Sequence, residues 1–196
     1  LNLNISDPSA VRARLSFQRY FQRLPRIGGM TGTAHESKTE LAKVYGLGIM
    51  QVPTHQPSRR KSMGYQVFGQ DEKKLSQIVK DARALSREGR AVLIGVKSVL
   101  TSQNLAAVFV AQAPDLPFEI LNAIHDTEEN TIIAQAGQCG MITIATNMAG
   151  RGTDIKIPKD VVECGGLHVM VAETNDFSRI DRQLIGRCAR QGDPGS

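Results

Sequence analysis

Tryptophan is absent from this chain and aromatic residues make up only 5% of it. That scarcity argues against a nucleic-acid surface built on stacked rings. No apolar run approaches the roughly 18 residues of a spanning helix, and the N-terminus lacks the basic-then-apolar order of an export signal, so the expectation is a cytoplasmic protein. The cysteines, Cys139, Cys164 and Cys188, number three. An odd count without ligand spacing points to reduced thiols rather than a disulfide framework or a zinc site. His35, His55, His125 and His168 show no ligand spacing either, and His168, inside a strand-like run, reads as a satisfied core residue. No metal ligands are expected. Also missing are a Gly-x-x-x-x-Gly-Lys-Ser/Thr loop and an apolar strand ending in paired acids, the elements that cradle β and γ phosphates and position magnesium. Alone, such a chain is not expected to hydrolyse ATP.

What remains describes a globular protein. Of its 196 residues, 41% are hydrophobic, enough for one ordinary core, or for one domain and a piece of another. The formal charge of +5 is modest and spread along the sequence. Only Arg59-Arg60-Lys61 is locally dense, and it reads as a solvated loop.

Periodicity outlines the elements. Val11, Leu15, Phe17, Tyr20, Phe21 and Leu24 form a helical stripe that stops before Pro25. A turn is expected over 29–34, a helix over 36–46 and a strand over 49–53. Pro53 and Pro57 bracket a polar link, taken as the seam between a segment 1–57 and a domain 58–196. Tyr65 to Phe68 reads as a short strand. Leu75, Ile78, Val79, Ala82 and Leu85 mark a helix over 71–87 closed by Gly89. Strands are expected over 91–96, 118–121, 141–146 and 167–171, with helices over 98–111 and 127–136 between them. Strands apolar on both faces and alternating with helices imply an α/β fold, a parallel sheet covered on both faces.

Two stretches carry chemistry. In Thr143-Ile-Ala-Thr-Asn-Met-Ala-Gly-Arg-Gly-Thr-Asp-Ile155, a buried strand runs into a loop where Gly150 and Gly152 flank Arg151 and Asp154 follows. In Gln183-Leu-Ile-Gly-Arg-Cys-Ala-Arg-Gln-Gly-Asp-Pro-Gly195, Phe177, Ile180 and Leu184 mark a helix face, and Arg187 and Arg190 stand three apart, a spacing that shares a helical face. Glycines admit a ligand close to the backbone, and guanidinium groups match phosphate oxygens. Ligands of open α/β sheets bind beyond the carboxyl ends of the strands, where the loop after the 141–146 strand is expected. Seen alone, Gly-Arg-Gly is an exposed turn and an arginine pair is surface charge. The two stretches together read as one wall of a nucleoside-triphosphate site.

With Gly29-Met-Thr-Gly-Thr-Ala34 and Gly165-Gly-Leu-His-Val169 added, four motifs in order resemble SecA, the ATPase motor of bacterial protein export. The resemblance runs from about Leu15 to Ser196 and is that of a divergent member: Ile185, Cys188 and Ala189 stand where the family has arginine, alanine or serine, and glycine. It implies a RecA-like fold of the P-loop NTPase type, with 1–57 as the tail of the first nucleotide-binding domain and 58–196 as the second. It assigns Arg187 and Arg190 as arginine fingers supported by Gln183, and Asp154, Arg151, Gly150 and Gly152 to nucleotide contact. ATP, with magnesium in the full-length enzyme, is the implied cofactor. Preprotein, a SecYEG-type membrane channel, acidic phospholipids and the missing first nucleotide-binding domain are the implied partners, at the inner face of the cell membrane. Because Gln-x-x-Gly-Arg-x-x-Arg is shared, the C-terminal lobe of a superfamily 2 nucleic-acid helicase stays open as the alternative. So does a non-hydrolysing interaction module.

Overall fold

The structure is a computed structural model that describes residues 13–121, 129–146 and 152–196. Two compact units are present, residues 1–51 and 52–196. In the first, α1 (Phe17–Gln22) is capped by the Ser16 hydroxyl, which accepts from the Arg19 amide. The helix α2 (Lys38–Tyr45) ends at Gly46 in the left-handed conformation, with φ +68°. The Gln22 amide donates to the Val44 carbonyl at 2.7 Å and ties the two helices together. Of the apolar stripe, Phe17, Tyr20 and Phe21 fall in α1 and Leu15 and Leu24 beyond its ends, and all five are exposed.

The second unit is a parallel sheet with helices on both faces. In chain order it comprises β1 (Arg59–Arg60), α3 (Asp71–Arg87), β2 (Val92–Val96), α4 (Val99–Gln112), β3 (Phe118–Leu121), α5 (Glu129–Gln135), β4 (Ile142–Thr146), α6 (Lys159–Glu163), β5 (His168–Val171), α7 (Ser178–Ile185) and β6 (Pro194–Gly195). The central order is β3-β4-β2-β5, every pair parallel. A parallel bridge from Leu167 to Gly195 continues the sheet to β6, which pairs with β1. Alternation along the strands splits the core. Val92, Ile94, Ile142 and Ile144 pack with Val79 and Ala82 of α3 and Leu105 and Phe109 of α4. Leu93, Leu121 and Ala145 pack on the opposite side with Ile133, Val161 and Leu184 from α5, α6 and α7. This two-sided burial is the expected consequence of strands lacking a polar face.

Three expectations need correction. Tyr65–Phe68 is not a strand: it has no ladder partner among the described residues, and Tyr65 and Val67 are 90% and 96% exposed. The edge place beside β6 is taken instead by Arg59–Arg60, read above as a loop, whose backbone satisfies the β6 edge. Residues 49–53 likewise form no strand, with Met50 and Val52 exposed. The short helix α6, unmarked by periodicity in the sequence, follows Pro158 and buries Val161. Val11, His125 and the first residues expected of the 127–136 helix lie outside the described residues. Among those described, no helix is long and apolar enough to cross a membrane.

Candidate functional site

Asp154 is held in place by its successor. Ile155 is buried in the core against α5 and α6, and the Lys156 carbonyl abuts Gly137, where any side chain would collide with it. The loop directly after β4, with Gly150 and Arg151, lies outside the described residues; Gly152 follows it with φ +90°. Since Gly137 precedes β4, the chain has returned along the α5 face of the sheet by Lys156. Asp154 is thus anchored by that face rather than standing free beyond the strand end.

The second wall comes from α7. Leu184, 5% exposed, seats the helix on β2 at Gly95, where the absent side chain leaves its space to the Leu184 methyls. The helix stops at Ile185. Arg187 and Arg190 therefore do not share a helical face; they lie in the turn that follows, where Ala189 and Gln191 have φ +54° and +58°. The reason is local: Cys188 turns inward, 3% exposed, with its Sγ donating to the Ile185 carbonyl at 3.2 Å. A continued helix would carry the chain away from the β6 edge, to which Asp193 returns it by donating to the Arg190 carbonyl at 2.9 Å.

This turn brings Arg190 to Asp154. The guanidinium donates through Nε to the Gly186 carbonyl at 2.9 Å and through Nη1 to the Asp154 carboxylate at 2.5 Å. Both side chains keep solvent contact, with 39% and 53% exposure. Arg187 is half-buried and Gln183 exposed, each with interactions of its own. Asp181, in the first turn of α7, accepts from the Asn175 amide at 3.0 Å and from its side chain at 2.6 Å, fixing the entry to the helix.

Sequence reasoning missed the support given by Arg59 and Arg60. Arg59 donates to the Gly192 carbonyl at 3.4 Å, and Arg60 to the Ile185 carbonyl at 3.5 Å, at the negative end of α7. Both are long bonds, and no helical or strand period marks two adjacent charges on an edge strand. A partly buried cluster holds the other side of the turn. Arg90 donates to the carbonyls of Gly165 and Gly166 and to the Ser196 hydroxyl, which also meets His168 Nδ1 at 2.7 Å. Gly166, at φ +72°, has no room for a side chain under the Pro194 carbonyl. Burial, reinforced by the Arg90 charge, pushes His168 down to about 4. It is a satisfied, neutral core histidine. Burial pushes the Cys188 thiol up, against the pull of Arg60 and Arg190.

In the first unit, the Thr31 and Thr33 hydroxyls lie 3.3 Å apart, and the Thr33 amide donates to Thr31 Oγ1, making a local turn. Among the described residues no group of three or more histidine, cysteine, aspartate or glutamate side chains is arranged to hold a metal.

The family model of the SecA P-loop domain matches residues 57–161 and 156–196, and that of the SecA DEAD-like domain matches residues 2–42. The chain belongs to the SecA family. Protein translocase subunit SecA 3 of Magnetococcus marinus is 48% identical over 192 residues, 98% of this chain and 29% of that protein. Protein translocase subunit SecA 2 of Bordetella avium is 47% identical over 193 residues, and SecA of Thermotoga neapolitana 43% over 191. The chain thus spans 29% of the length of the first of these relatives and 22% of the last. Among solved structures, domain 2 of the DEAD-box helicase Mss116p bound to an RNA duplex aligns with a TM-score of 0.53 at 17% identity, over 64% of this chain and 48% of that one. The E. coli DEAD-box protein SrmB, bound to RraA, aligns at 0.50 and 22%, over 64% and 68%. These likenesses are of fold, the RecA-like one expected. The helicase alternative keeps the architecture but not the family.

Proposed function

We propose that this chain supplies the second wall of the ATP site in a SecA-type protein-export motor: residues 58–196 are the second nucleotide-binding domain, and 1–57 the tail of the first. The observation that carries the reading is the meeting of Asp154 and Arg190 across the two motif stretches. A carboxylate suits ribose hydroxyls, and a guanidinium suits the charge that develops on a departing γ-phosphate. Because each is the other's partner here, nucleotide entry is an exchange: Asp154 gives up Arg190 for ribose, and Arg190 turns to phosphate. Gly186, which accepts from Arg190 Nε, keeps the guanidinium poised during that exchange. Arg187 is the second finger, supported by Gln183, and Gly150, Arg151 and Gly152 form the close-approach loop, all by family resemblance. A triphosphate fits this donor set as half of a site; magnesium and the attacking water belong to the Walker-bearing half of the parent protein. Preprotein, a SecYEG-type channel and acidic phospholipids are the partners, at the inner face of the membrane, and the isolated chain does not turn over ATP.

The test is Arg190→Ala in the full-length parent. Turnover is expected to fall about 10²- to 10³-fold, as on removal of one donor to transition-state charge, while Asp154→Asn chiefly raises KM. Unchanged turnover in Arg190→Ala, or robust magnesium-dependent turnover by the isolated chain, refutes the proposal.

A further inference from the structure

Cys139 lies just before β4 and Cys164 just after α6, and both are exposed. They meet at Gly89, in the turn between α3 and β2. A methyl group built on Gly89 would stand 3.0 Å from the Cys164 sulfur and 3.4 Å from the Cys139 sulfur. The two sulfurs therefore border one small volume, kept open because Gly89 has no side chain. Its φ of +81° disfavours any residue that has one. Nothing in the nucleotide-site reading uses these thiols. The third cysteine differs in kind: Cys188 is buried and hydrogen-bonded to the Ile185 carbonyl.

We propose that Cys139 and Cys164 form a dithiol site that closes to an intramolecular disulfide by exchange with a low-molecular-weight disulfide. One cysteine thiolate attacks the small disulfide, forming a mixed disulfide and expelling one small thiolate. The second cysteine thiolate then attacks the protein sulfur of that mixed disulfide and expels the other. Two protein thiols are oxidised to one disulfide, the small disulfide is reduced to two thiols, and the protons of the cysteines pass to the released thiolates. Closure brings the sulfurs to about 2.05 Å, a movement toward the gap over Gly89. The bond joins both ends of the segment 140–163, which contains β4, Asp154 and α6. It forms where β2 and β4 begin and clasps the segment carrying Asp154 at its two ends. Oxidation thereby removes conformational freedom that the unfolded chain would have between the two cysteines.

The experiment is equilibration of the protein with glutathione disulfide, followed by an acid quench, intact-mass measurement and peptide mapping. The expected product has lost the mass of two hydrogens, contains a Cys139–Cys164 linked peptide and retains a free Cys188. In C139S, Cys164 should stop at the mixed disulfide, and in C164S Cys139 should do so. Two separate mixed disulfides on the unsubstituted protein, or no reaction at either cysteine, overturns the proposal.

Discussion

Gly95 and Leu184 set the position of α7, and through it the turn bearing Arg190, so a reciprocal pair of substitutions tests the packing directly. A Cβ at Gly95 overlaps both Cδ atoms and the Cγ of Leu184. Gly95→Ala alone overpacks that contact and should cost about 1–3 kcal/mol. Leu184→Ala alone removes a side chain that is 5% exposed; the lost burial and the cavity should cost about 2–4 kcal/mol. In the double variant, the methyl introduced at position 95 enters space vacated by Leu184: the overlap is gone and part of the cavity is filled. The combined loss should fall short of the sum by about 1–3 kcal/mol, the coupling typical of residues in contact. Urea unfolding followed by far-UV circular dichroism reads this well in a chain without tryptophan. The midpoint should move while the slope stays constant, meaning that stability rather than compactness has changed. Costs that add to within about 0.5 kcal/mol would mean that Leu184 does not rest on Gly95, and that α7 is positioned by something else.

Three further outcomes follow from the buried groups. Thr143, in β4, is fully buried, and its hydroxyl oxygen has no hydrogen-bond partner among the described residues; Thr143→Val should be neutral or stabilising by about 1 kcal/mol, and a clear loss in urea unfolding would reveal a hydrogen bond. His168 is lowered from 6.5 to about 4, so the unfolded chain binds its proton more tightly between those values. Stability should be complete above pH 6.5 and fall as the pH drops toward 4, by on the order of 3 kcal/mol in total; a His168→Leu variant with an undiminished slope over that window would refute the assignment. Under native conditions iodoacetamide should modify Cys139 and Cys164 promptly and spare Cys188 until the protein unfolds; rapid native labelling of Cys188 would contradict its inward turn.

The elements most legible in the sequence are those whose burial repeats at short range. Leu75, Ile78, Val79, Ala82 and Leu85 mark α3 because a helix with one buried face repeats every 3.6 residues; the expected span of 71–87 matches the observed helix. The Phe118–Leu121 strand appears with the bounds read from its sequence, and the other central strands to within a residue. The tetrapeptide at 65–68 also carries aromatic and β-branched residues but has no strand partner among the described residues, since a strand is defined by its hydrogen-bonding partner and not by its own residues.

The site divides along the same line. Residue types and motif order put Asp154 and Arg190 in one expected constellation, and the structure joins the two side chains by a hydrogen bond. Their contact depends on separate long-range events: Ile155 buried beside Gly137, Leu184 seated on Gly95, and β1 closing the edge beside β6. Each joins residues far apart in the chain, where no local period operates. For that reason three-residue spacing suggested a shared helical face for Arg187 and Arg190, and packing placed them in a turn instead. The proximity of Cys139 and Cys164 was equally silent in the linear order, since it arises only when the starts of β2 and β4 lie side by side.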